Sequence, residues 1–399
     1  MIRGAALSGF SRKQTRPMTQ SAPLAPTPFI DLGAQRRRIG AAMDEAVLRV
    51  VDHGAYVMGP EVPALEKALG AFCGATHVVT CASGTDALLL ILMAKGVKAG
   101  DAVFCPAFTF AATASVIVRL GATPVFFDVL ADTFNTDPRS LELAIAKARE
   151  LGLKPVGVIP VDLFGQAADY DAIEPLAAAN GLWVLSDAAQ SFGGSYKDRK
   201  IGTIGMATAT SFFPAKPLGC YGDGGAIFTE DAELAAVLRS LRIHGQNVED
   251  KYDNQRVGLT GRLDTIQAAV LLEKLKIFED EIAARNRIAA RYNEALGDLV
   301  DVPVVEDGLV SAWAQYTILL RGRDRADFAN RLKAKGIPTA IYYPRPLNRQ
   351  TAYRDYPIAG NGLPVSDRLA EEVISLPMHP YIDEALQDRI IDSVRASLV

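Results

Sequence analysis

The sequence predicts an α/β protein built on a mainly parallel sheet, followed by a smaller α+β unit. Three observations carry this. From Phe29 to about Glu230, short apolar runs rich in β-branched residues alternate with segments of helical periodicity. Around Leu263 that texture gives way to a long proline-free helical pattern. Beyond Val302 only two strand-like and two helical runs remain. At roughly 100–200 residues per domain, a chain of 399 residues has room for two or three units.

In chain order the strand-like runs are Val78–Cys81, Ala102–Cys105, Thr123–Phe127, Val156–Val161, Leu182–Ser186, Thr208–Phe213 and Ala226–Thr229. Uninterrupted apolar strands are buried on both faces, as a parallel sheet covered by helices requires. The covering helices include Asp86–Lys95, Pro138–Leu151 and Tyr170–Asn180. The last two runs are joined by a glycine-rich loop instead of a helix, so the parallel rule does not bind them. Leu263–Leu296 then places Ile266, Val270, Leu271, Leu275 and Phe278 at helical spacing, as one element linking two domains. The terminal unit is expected to hold strands Gln315–Leu320 and Thr339–Tyr343 and helices Asp324–Lys335 and Ile382–Leu398.

Met1–Pro28 stands apart, with Arg3, Arg12, Lys13 and Arg16, no acidic residue and a Ser/Ala/Pro-rich run. It reads as a disordered tail or as sequence upstream of a start at Met18, the other reading being a basic tail that touches a membrane or nucleic acid. The expected divisions are therefore a tail over 1–28, a large domain over 29–261 and a small domain over 262–399.

Composition narrows the function. Hydrophobic residues at 49% and charged residues at 22% argue against a largely disordered chain. A net charge of −4 gives no electrostatic reason to expect nucleic acid. The longest aliphatic stretch, Ala87–Ala94, is far below the ~20 residues that span a bilayer. Cys73, Cys81, Cys105 and Cys220 form no Cys-x-x-Cys pair, and His53, His77, His244 and His379 are dispersed, so neither a metal site nor a disulfide framework is expected. What remains is the expectation of a soluble, cytoplasmic, two-domain protein of enzyme size, with its chemistry still to be read.

Three segments carry chemistry. Cys81-Ala82-Ser83-Gly84-Thr85-Asp86 ends a strand and opens a helix. Its free N–H groups, with glycine allowing close approach, form an anion cradle; read alone, the segment serves equally as a helix cap. Asp187, in Leu185-Ser186-Asp187-Ala188-Ala189-Gln190, stands at the carboxyl end of a strand, where open α/β sheets bind ligands. It is either a turn cap or the acceptor for a protonated ring nitrogen, with Ala188 and Ala189 leaving room for a flat ring. Lys216 lies between Pro214 and Pro217 in apolar, glycine-rich surroundings. Such a lysine either snorkels to water or, poorly solvated, becomes a neutral amine able to condense with an aldehyde. Together these are the three requirements of pyridoxal 5′-phosphate: a phosphate cradle, a carboxylate for the ring nitrogen and an amine for the aldehyde. Phe110 adds an aromatic that stacks on the ring or is plain core.

The chain resembles the DegT/DnrJ/StrS family of pyridoxal-phosphate sugar aminotransferases from about Phe29 onward. The likeness rests on Ser83-Gly84-Thr85-Asp86-Ala87-Leu88, Asp187-Ala188-Ala189-Gln190, Thr210-to-Gly225 and Gly261-Arg262-Leu263-Asp264-Thr265-Ile266-Gln267-Ala268-Ala269. It implies a fold-type I transferase with a seven-stranded sheet, acting as a homodimer with shared active sites. Lys216 matches the lysine that binds the cofactor and moves the proton. Asp187 matches the partner of the ring nitrogen, and Gln190 the neighbour of the ring hydroxyl. Gly84, Thr85 and Ser211 match the phosphate contacts, Phe110 the stacking aromatic, and Arg262 an arginine from the neighbouring subunit. Thr260 stands where many members have an asparagine that reaches the partner's phosphate. The overall texture is most similar to members acting on UDP-linked 3-keto-N-acetylglucosaminuronate, with glutamate as amino donor. Tyr342-Tyr343 replaces the His-Tyr pair that contacts the sugar nucleotide in those members, leaving Arg262 or Arg345 as the cations for a substrate carboxylate.

Overall fold

Short buried runs become strands wherever helices cover both faces. A computed structural model describes residues 27–247, 249–250 and 252–398. Its first strands are β1 (His77–Cys81), β2 (Asp101–Pro106), β3 (Thr123–Phe127), β4 (Lys154–Val158) and β5 (Trp183–Asp187). A small hairpin, β6 (Ser195–Tyr196) and β7 (Arg199–Lys200), precedes β8 (Ala207–Ser211) and β9 (Gly225–Thr229). Seven of these form one sheet in the order β1-β9-β8-β5-β4-β2-β3, the seven-stranded sheet that the resemblance implies. Every member runs parallel except β9, which is antiparallel to both β8 and β1. The connection between β8 and β9 holds no helix to carry the chain back across the sheet, and the two strands pair as antiparallel neighbours.

Helices α1 (Leu32–Ile39), α2 (Ala41–His53) and α3 (Glu61–Cys73) lead into β1. The aliphatic stretch from Ala87 is the body of α4 (Gly84–Ala94), whose residues Ala87–Leu92 are all buried. Helices α5 (Ala112–Arg119), α6 (Pro138–Glu150), α7 (Tyr170–Ala179) and α8 (Ala232–Leu241) complete the covering layers. Among the described residues no helix is long and apolar enough to cross a membrane. All four cysteines are free and buried.

Three expectations need correction. The strand expected over Val156–Val161 begins at Lys154 and ends at Val158, because Pro160 has no N–H to extend the ladder. The single long helix expected over Leu263–Leu296 is two, α9 (Thr265–Leu275) and α10 (Phe278–Leu296). Neither glycine nor proline marks the break. It falls where Phe278 turns inward, fully buried, to stack on Phe192 with ring centroids 6.2 Å apart and to pack against Phe72. The strand expected over Thr339–Tyr343 does not form; only Ala340 bridges, to Ser375.

After β10 (Leu309–Val310), which pairs with β6, the chain forms β11 (Tyr316–Leu319), α11 (Arg325–Ala334), α12 (Pro364–Glu372), β12 (Val373–Leu376) and α13 (Glu384–Arg395). β11 pairs antiparallel with β12. Tyr292, Tyr316, Phe328, Ile374 and Ile390 pack together there in a core of their own. Of the expected tail over 1–28, only Thr27 and Pro28 fall within the described residues, and Thr27 is buried.

Candidate active site

A cavity of about 490 Å³ opens at the carboxyl ends of β1, β5 and β8. At one end lies the start of α4. Ser83 caps the helix, its Oγ accepting the Asp86 N–H at 3.0 Å. The first main-chain bond of the helix comes only at Ala87, whose N–H reaches Ser83 O at 2.9 Å. The N–H groups of Gly84 and Thr85 precede it and belong to the cavity wall. The cap reading and the cradle reading of this segment are thus compatible.

The cradle is tight. A Cβ on Gly84 would lie 2.6 Å from Ser211 Cβ, and one on Gly225 would lie 2.4 Å from Ser83 O. Gly84→Ala should therefore push the α4 terminus off Ser211. We expect pyridoxal phosphate affinity to fall at least about tenfold, roughly the worth of one charge-assisted hydrogen bond, measured by fluorescence titration of the apoprotein. Affinity within twofold of wild type would show that the cradle does not hold the phosphate.

Asp187 closes β5 at the opposite side and is 5% exposed. Its Oδ2 accepts the Thr113 hydroxyl at 2.8 Å, and its Oδ1 accepts the Ala189 N–H at 3.3 Å. Burial raises its pKa against the pull of these donors and of Lys216. A carboxylate held this way, with no ion pair among the described residues, is complementary to a positive group entering the cavity. Thr113 had no signal in the sequence: a threonine in the first turn of α5 resembles any other, and only the packing of α5 beside β5 gives it a role.

Lys216 lies on the β8–β9 loop and projects into the same cavity. Burial lowers its pKa to about 8, opposed by the Asp187 charge. Gln190 is buried and bonded on both sides: its Oε1 accepts the Phe164 N–H at 2.7 Å, and its Nε2 donates to Tyr343 Oη at 3.3 Å. Tyr342 and Tyr343, joined by a cis peptide, line the wall with Phe110, whose ring centroid is 6.1 Å from that of Tyr343. Ser211 ends β8 beside Gly84, its Oγ accepting the Phe213 N–H at 3.3 Å.

Arg262 is half-buried and is not part of the cavity wall, nor is Arg345. Thr260 lies 2.7 Å from His244 Nε2 through its hydroxyl, on the exposed surface. Sequence reasoning gave no role to several wall residues, among them Thr109, Val161, Asp223 and Gln315, nor to Thr113 behind Asp187. Thr109 Oγ1 and Gln315 Oε1 are buried without a hydrogen-bond partner, so the cavity presents unfilled polar contacts.

These features fit the expected cofactor. A glycine-tight cradle, a buried carboxylate lacking a cation and an amine of lowered pKa all face one space of suitable size. The DegT/DnrJ/EryC1/StrS aminotransferase family profile matches residues 37–395. The chain belongs to this family.

Among relatives of this aminotransferase is UDP-2-acetamido-2-deoxy-3-oxo-D-glucuronate aminotransferase of Pseudomonas aeruginosa, 48% identical over 358 residues, covering 90% of this chain and 96% of the relative. A crystal structure of a DegT/DnrJ/EryC1/StrS aminotransferase from Brucella abortus is 54% identical with a TM-score of 0.91, covering 93% and 99% of the two chains. NtdA from Bacillus subtilis, solved with bound cofactor PMP, is 27% identical with a TM-score of 0.85, covering 94% of this chain and 86% of that one. The aminotransferase therefore shares its overall fold with these solved enzymes, in keeping with the fold class that the resemblance implies.

Proposed function

We propose that the protein transfers an amino group, through pyridoxal 5′-phosphate, to a nucleotide-activated keto sugar. The best-supported substrate is UDP-linked 3-keto-N-acetylglucosaminuronate, with glutamate as donor, in the cytoplasm and in the service of glycan synthesis. The carrying observation is that Lys216, Asp187 and the Gly84–Thr85 cradle face one cavity. The 48% identity to the Pseudomonas aeruginosa enzyme supports the choice of sugar.

The bound cofactor would act as an electron sink for a carbanion next to nitrogen. This chain's residues do the rest. Gly84, Thr85 and Ser211 would hold the phosphate, and Phe110 would be the aromatic beside the ring. Asp187, kept from water and fixed by Thr113, would keep a proton on the ring nitrogen. Lys216 would hold the cofactor through Nζ, its lowered pKa favouring the neutral amine. The same amine would be the group placed to take up and return a proton in the cavity. Gln190 fixes Tyr343 beside this path.

We further propose the division into a cofactor-binding unit over 29–261 and a small unit over 262–399. The protein would work as a homodimer in which Arg262 serves the neighbouring cavity. Its half-buried place outside its own cavity supports this. One assay tests the function: incubate the holoenzyme with glutamate and a panel of 3-keto and 4-keto sugar nucleotides, and identify products by mass and NMR. Amination at C3 of the UDP-uronate is expected. Amination at C4 of a 4-keto-6-deoxy sugar would move the substrate assignment, and loss of water without nitrogen gain would overturn transamination.

A further inference from the structure

Behind the cavity lies a buried carboxylate that the chemistry above does not use. Asp162 follows β4, is 0% exposed and meets four donors. Its Oδ1 accepts the Tyr170 hydroxyl at 2.7 Å and the Ala168 N–H at 3.0 Å, while its Oδ2 accepts Ser191 Oγ at 2.8 Å and Ser186 Oγ at 3.3 Å. Ser186 precedes Asp187 and Ser191 follows Gln190, so one oxygen ties both ends of the Asp187–Gln190 turn. The main chain repeats the tie: Asp162 N–H donates to Asp187 O at 3.1 Å, and Asp187 N–H to Pro160 O at 2.9 Å.

The other oxygen acts on the loop that holds Gln190. The Ala168 bond closes residues 162–168, and within them Phe164, at φ +60°, donates its N–H to Gln190 Oε1 at 2.7 Å. A non-glycine residue in that region persists only where its surroundings hold it. Burial raises the Asp162 pKa to about 6 against the pull of its donors, so at neutral pH the carboxylate is the form that accepts all four.

We propose that Asp162 is the positioning residue of the site, setting the Asp187–Gln190 turn from behind so that the ring-nitrogen carboxylate and the glutamine hold their places. It touches neither cofactor nor substrate; it acts through Ser186, Ser191 and the Phe164 loop. This inference rests on the cofactor assignment above.

Three variants of the full-length protein test it: Asp162→Asn, Ser191→Ala, which removes a contact to the turn, and Tyr170→Phe, which removes a contact on the far side. Pyridoxal phosphate affinity is measured by fluorescence titration, stability by thermal unfolding, and kcat and KM separately. Wild type is titrated first: no binding there would defeat the cofactor assignment itself, not this inference. With wild type binding, Asp162→Asn and Ser191→Ala should weaken cofactor affinity by about tenfold and about threefold, the span expected for one or two buried hydrogen bonds. Their kcat should fall with KM for the sugar nucleotide within twofold. Tyr170→Phe should lower the unfolding temperature with affinity within twofold of wild type. If Asp162→Asn does not fold, Ser191→Ala against Tyr170→Phe decides. Equal affinity losses in those two, or wild-type affinity in Ser191→Ala, would reduce Asp162 to ordinary core packing and overturn the proposal.

Discussion

Lys216→Ala should lower kcat for transamination by about 10³-fold or more, since one side chain provides both the attachment point and the moving proton. Borohydride treatment of wild-type holoenzyme should fix the cofactor on the peptide containing Lys216, read by mass spectrometry, and the variant should show no such adduct. The pKa gives the test a second axis. Burial brings the Lys216 amine down to about 8 from its usual value near 10.5. The neutral amine is the nucleophile, so capture of pyridoxal phosphate by the apoprotein should accelerate as pH rises through about 8 and then level off. An unshifted lysine would go on accelerating to about pH 10. Full activity in Lys216→Ala would sink the mechanism.

Asp187→Asn should cost about 10²–10³-fold in kcat, the scale for removing one preorganised electrostatic contact from a water-poor site. The fold should survive. Thr113 can still donate to the amide oxygen, and the Ala189 N–H contact is already long at 3.3 Å. The cause of the loss is the sign of the group: a carboxylate stabilises a protonated ring nitrogen, whereas an amide does not. The decisive comparison is kcat against thermal stability. A variant that unfolds within a few degrees of wild type and turns over at the wild-type rate would refute the ring-nitrogen role.

What the sequence revealed follows the physics of each element. Buried parallel strands announce themselves as short apolar runs, and six of the seven lie within two residues of where periodicity places them at either end. β12 was invisible because Val373–Leu376 follows directly on α12, with no turn residue between them. The break between α9 and α10 has no local cause; it is made by Phe278 finding Phe72 and Phe192, which are distant in the chain. Lys216 and Asp187 stood out because charge is rare inside apolar runs. Thr113 and Asp162 did not, since their importance comes from which strand ends lie side by side. Arg262 carried meaning only through a motif, and its own chain's cavity does not use it.

The reversed strand β9 has a consequence for how the enzyme is loaded. Because Ser211 pairs with Gly225, both stems of the loop carrying Lys216 are fastened at one point of the sheet. Residues 212–224 are a closed ring on a rigid base, with further ties from Phe212 N–H to Gly224 O at 2.7 Å and Cys220 N–H to Phe212 O at 2.8 Å. The chain entropy of presenting the amine is lost once, when the sheet forms, and not again at each turnover. Between these ties the Lys216 amine has only its own four methylenes with which to wander. Apoprotein is therefore a spring-free docking post, and reloading should proceed in a single concentration-dependent phase without a slower folding step.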